Sequence, residues 1–147
     1  MKKLTTRGFT LIELLVVIAI IGILSSIVLA SLSSARSKGE DSAIQATLSS
    51  MRSQAELYYS TNGDYGITVS AATACNTGIF SGSGTGTLTA LVAGAKTKST
   101  TVTCAATAST TWAVSALLKS ESKHFCVDST GTAKATTSAI TSSTCGF

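Results

Sequence analysis

From Phe9 to Leu32 the chain runs for 24 positions with one ionisable side chain, Glu13, and no proline. As a helix rising about 1.5 Å per residue, this stretch reaches roughly 36 Å, enough to cross a hydrocarbon core of about 30 Å. A helix buried in a soluble core needs no such length, and would not ordinarily open a chain behind a basic leader. That leader, Met1 to Gly8, carries Lys2, Lys3 and Arg7 and no acid. By the positive-inside rule it holds the N-terminus in the cytoplasm and leaves the rest of the chain to be exported.

Glu13 is what an ordinary anchor does not explain. An uncleaved anchor tolerates a carboxylate only near the membrane interface, where its cost is reduced. A conventional cleaved signal finds small residues at Ser33-Ser34-Ala35, but accounts for neither Gly8-Phe9 nor Glu13. The run Arg7-Gly8-Phe9-Thr10-Leu11-Ile12-Glu13 resembles the class III signal of type IV pilins and of the related type II secretion pseudopilins. The likeness is specific over Gly8 to Leu24 and extends more loosely to Tyr65, where Glu56 to Tyr65 resembles the end of the pseudopilin first helix. It implies cleavage between Gly8 and Phe9 by a prepilin peptidase and N-methylation of Phe9. It also implies that the new Phe9 amine meets Glu13 of a neighbouring subunit. An unpaired carboxylate in an apolar filament core costs several kcal/mol; an ion pair recovers part of that and fixes the axial register of the incoming subunit.

Composition narrows the partners. The formal net charge is +4, but the leader supplies three of the positive charges, leaving 8 Lys and Arg against 7 Asp and Glu. Bulk charge therefore gives DNA binding no support, and Lys96, Lys98, Lys119 and Lys123 read first as a solvated face. With 24 Thr and 23 Ser against 12% charged residues, the exported surface is hydroxyl-rich and suited to packing against copies of itself. Cys75, Cys104, Cys126 and Cys145 all lie in the exported part, and their spacing fits no metal clamp. They read as two disulfides. Of the three possible connectivities, Cys75–Cys104 with Cys126–Cys145 is preferred because it closes neighbouring loops without crossing, each worth about 3 kcal/mol.

Beyond the apolar run, Ile44, Leu48, Met51, Ala55 and Tyr58 recur at spacings that place them on one helical face, and Ser60-Thr61-Asn62-Gly63 is a stop. A single helix of about 50 residues is expected from Phe9, with Gly22 and Gly39 as its weak points. Many type IV pilins carry a helix proline, which this chain lacks. Tyr65 to Ser99 reads mostly as loop. Thr111 to Leu118 reads as a strand with Trp112, Val114, Ala116 and Leu118 on one face, followed by a strand at Phe125 to Val127, a turn at Asp128 to Gly131 and a strand over Thr132 to Ala139. The expected class is α+β and pilin-like: a long N-terminal helix packed on a small antiparallel sheet, with a loop-rich, disulfide-stapled C-terminal region. Its parts are a cleaved leader (1–8), a membrane and filament-core helix (9–32), an amphipathic continuation (33–60) and a globular head (61–147).

Little points to catalysis. His124 is the lone histidine and reads as a strand residue beside Phe125. Gly82-Ser83-Gly84-Thr85-Gly86 lacks the lysine and the strand-to-helix setting of a phosphate loop. Asp128 stands alone, so the calcium site of some pseudopilins is not carried over. No metal or cofactor is expected, and the chain reads as a structural subunit rather than an enzyme. The resemblance implies self-association into a helical homopolymer, an inner-membrane assembly platform and an assembly ATPase as partners. It places the chain in the cytoplasmic membrane before assembly, then in an extracellular or periplasmic filament. The surface pilus is the first reading; a secretion pseudopilus is the alternative.

Overall fold

The computed structural model describes residues 8–66, 68–82, 84–107 and 110–146; the leader cations Lys2, Lys3 and Arg7 lie outside them. The chain forms two compact units, residues 1–36 and 37–147. Helix α1, Leu11–Asn62, supplies the first unit and opens the second. Gly22 and Gly39 both lie within continuous helix, and the Ser26 hydroxyl donates to the Gly22 carbonyl at 2.9 Å. No described residue of the first unit is buried.

In the second unit α1 buries Asp41, Ile44, Leu48, Met51 and Ala55. The last four follow the 4, 3, 4 spacing of a seam that meets a flat surface. The helix ends where the turn residues stop it. Gly63 at φ +79° takes the left-handed conformation that an L side chain resists, and its N–H donates to the Tyr59 carbonyl at 2.7 Å. Tyr65 then folds back to donate its hydroxyl to Glu56 at 3.0 Å. Burial first, and then the Glu56 carboxylate, push its pKa up to about 12.

After α1 come β1 (Val69–Ala72), a short 3-10 turn (Gly78–Phe80), α2 (Thr89–Lys98), β2 (Val102–Thr107), β3 (Thr111–Leu117), β4 (His124–Asp128) and β5 (Ala133–Thr136). The strands form one antiparallel sheet in the order β1-β2-β3-β4-β5. This is the α+β arrangement expected. Register assigns its two faces. Trp112, Val114, Ala116 and Leu118 join Ile44, Leu48 and Met51 in the main core, whereas Ala105, Ala113 and Cys126 face the other way and pack with Ile140 and Cys145. A C-terminal strap, residues 137–146, therefore covers the face away from α1.

Two segments depart from the sequence reading. The stretch read mostly as loop holds β1 and the ten-residue α2, whose buried residues are only Val92 and Ala95, too few and too small to show a clear period. The strand expected over Thr132 to Ala139 ends at Thr136, where the Thr136 hydroxyl donates to the carbonyls of His124 and Ser138 and the chain leaves the sheet edge as the strap.

Candidate processing and assembly site

Glu13 sits in the first turn of α1. The Thr10 N–H and hydroxyl donate to Glu13 Oε2 at 2.8 and 2.7 Å, and the Glu13 N–H donates back to Thr10 Oγ1 at 3.2 Å. This is a reciprocal capping box: it satisfies donors that a helix start leaves open and places an anion at the positive end of the helix dipole. Its signature, Thr-x-x-Glu ahead of an apolar run, stands in the sequence at Thr10 to Glu13. The box uses one carboxylate oxygen; Oε1 takes no part in it.

Upstream, Gly8 is exposed, and a Cβ built on it would meet nothing within 4 Å. The fold itself sets no demand for glycine there. Phe9 is 87% exposed, and the large side chains that follow it to Leu32 are all at least 48% exposed. Over its most apolar 18 residues α1 has a mean hydropathy of 2.8 and no burial. Such a surface fits membrane anchoring and is unsuited to water.

In the second unit the cysteines are joined as Cys75–Cys104 and Cys126–Cys145, with Cα atoms 5.4 and 5.8 Å apart, and no described cysteine is free. Cys104 belongs to the core facing α1, and Cys126 to the core under the strap. His124 is a half-buried residue of β4 whose pKa burial lowers. Among the described residues no group of three or more His, Cys, Asp or Glu is placed to hold a metal ion. The glycine-rich segment has a packing role: at Gly86, with φ +80°, an added Cβ would lie 2.4 Å from the Tyr58 nitrogen and 2.9 Å from the Gln54 carbonyl. The loop backbone lies directly on α1, which only glycine permits.

Two buried acids have structural roles. Asp41, 5% exposed, accepts the Lys119 N–H at 2.6 Å, the Ser120 N–H at 2.9 Å and the Ser120 hydroxyl, while neighbouring Glu40 pairs with the Lys119 amine. Burial alone would raise the Asp41 pKa, but these hydrogen bonds and the Lys119 charge outweigh it and hold the carboxyl below its usual range. Asp128 is fully buried and likewise lowered: burial opposes ionisation, but hydrogen bonds from the Cys145 amide, the Thr130 hydroxyl and the Thr132 and Thr130 amides prevail.

Residues 4–29 match the prokaryotic N-terminal methylation motif. The chain is 42% identical over 59 residues to the type IV wide pilus major component PilA4 of Thermus thermophilus. That alignment takes in 40% of this chain and spans 45% of the length of the curated relative. No solved structure matches. The likeness to a type IV pilus component thus covers less than half of either chain.

Proposed function

We infer that the chain is a pilin-like filament subunit, stored in the membrane by the apolar half of α1 and assembled by helix packing. The observation that carries this reading is the methylation-motif match over residues 4–29, centred on an exposed apolar helix with one carboxylate in its first turn. A prepilin peptidase cuts between Gly8 and Phe9 and methylates the new amine. Since nothing within the chain requires glycine at position 8, the requirement falls to the peptidase, which reads the residue before the cut. The Phe9 amine of one subunit then pairs with Glu13 of another in the filament core, where an assembly platform and its ATPase deliver it. A relative described as a wide-pilus major component supports a surface pilus. The segment Tyr58 to Tyr65 supports the alternative, a secretion pseudopilus.

Intact-mass analysis of the protein from cells with an active prepilin peptidase tests processing. The mature chain is expected to start at a methylated Phe9, and Gly8→Val to keep the leader; a wild-type chain still starting at Met1 overturns the reading. Identifying the subunit of sheared surface fibres by mass spectrometry separates pilus from pseudopilus.

A further inference from the structure

The strap is tied to the sheet at three places. The Ile140 N–H donates to Ser115 Oγ at 3.2 Å, the Ser143 hydroxyl bonds Thr107 and Thr111 at 3.0 and 2.7 Å, and the Cys145 N–H donates to Asp128 Oδ2 at 2.7 Å. Two of these ties flank one cysteine. Ser115 is the register partner of Cys126 on β3, and Asp128 lies two residues beyond Cys126 on the same face of β4. Both are fully buried.

The two oxygens of Asp128 divide their work. Oδ1 accepts the Thr130 N–H at 2.9 Å, the Thr130 hydroxyl at 2.7 Å and the Thr132 N–H at 3.0 Å, which builds the β4–β5 turn. Oδ2 is left for the strap. We propose that Asp128 is a positioning residue for oxidation of the second disulfide, holding the backbone of Cys145 against β4 so that its thiol meets Cys126 and no other cysteine. Cys104 pairs in register with Val114 and faces α1, so a formed sheet puts it out of reach of Cys145. In the reaction the Cys126 and Cys145 thiols meet a small-molecule or protein disulfide: one S–S bond forms between them, the oxidant's S–S bond is reduced, and it leaves as two thiols carrying the two protons and two electrons. This inference stands apart from the filament reading.

The test uses the full chain in detergent micelles, equilibrated in mixtures of oxidised and reduced glutathione, quenched by alkylation and mapped by mass spectrometry. Cys75–Cys104 serves as an internal control in the same molecules. Asp128→Asn keeps one carbonyl oxygen for the turn's three donors but turns an NH2 toward the Cys145 N–H. It is expected to lower the equilibrium constant for Cys126–Cys145 about tenfold while leaving Cys75–Cys104 within about twofold. A semisynthetic chain with an ester in place of the Thr144–Cys145 amide removes the donor and leaves Asp128 and its turn intact, so it reports even where Asp128→Asn misfolds. The same selective tenfold loss is expected there. An unchanged Cys126–Cys145 constant in the ester chain, or an equal fall of both pairs there, overturns the proposal.

Discussion

The two halves of α1 have the same secondary structure and opposite fates. From Leu11 to Arg36 no residue is buried, although the segment carries the apolar run to Leu32. From Asp41 to Ala55 the helix is mostly polar and buries a five-residue seam. Apolar content therefore does not decide which half packs within the chain. The outer half needs only one residue per turn because a sheet and α2 supply the other side of the core. The inner half has apolar side chains all round, and only lipid or other subunits can surround it.

The comparison is tested most severely at Glu13. Glu13→Val makes the inner half more apolar, so membrane insertion and export of the head are expected to persist. Filament yield is expected to fall on the order of tenfold or more, because in the proposed pairing the Phe9 amine of a neighbour loses its partner. Normal yield from cells expressing only the variant would leave Glu13 as a helix cap and nothing more.

Next in size is Gly86→Ala. The new methyl would have to displace the α1 backbone while the residue stays at positive φ, an expected loss of about 4 kcal/mol in unfolding of the head. Chemical denaturation followed by Trp112 fluorescence measures it. A loss below about 1 kcal/mol would mean that the loop lifts freely from the helix.

A matched pair then compares the halves directly. Leu48→Ala is expected to cost about 3 kcal/mol in the same experiment, since Leu48 is fully buried. Leu24→Ala, at a side chain 57% exposed, is expected to change head stability by less than about 0.5 kcal/mol. Equal losses would erase the distinction.

The smallest effect is electrostatic and confined to the second unit. Asp41 and Asp128 have folded pKa values below the unfolded carboxylate value of about 3.9, so the stability they confer is fully present above that pH. It is lost as pH falls through their lower folded values. Denaturation midpoints are therefore expected to fall below about pH 4, and Asp41→Asn to flatten part of that dependence. A midpoint rising on acidification would reverse the sign of the argument.

Much of this was legible in the residues. The spacing of Ile44, Leu48, Met51 and Ala55 located the seam, Asn62-Gly63 the helix stop, and Trp112 to Leu118 the strand face that meets it. Strand β2 escaped because five of its six residues are buried, one face under α1 and the other under the strap, and the alternation begun at Val102-Thr103-Cys104 breaks at Ala105-Ala106. Asp128 escaped for a related reason. Its neighbours in sequence explain the turn, but nothing local shows that the Cys145 amide, 17 residues on, completes its shell.

The sequence alone determined what depends on near neighbours: a continuous helix, a capping box at Thr10 and Glu13, an apolar run with one charge, and enough cysteines for two bridges. Only the tertiary structure decided what depends on distant ones. The sheet sets Cys104 and Cys126 on opposite faces, the strap brings Cys145 to Cys126, and the backbone of Gly86 lies on α1. Helical periodicity is fixed by bonds four residues apart, whereas the side of a sheet on which a side chain falls is fixed by strand register, and register is a property of chain segments that meet only in the folded state.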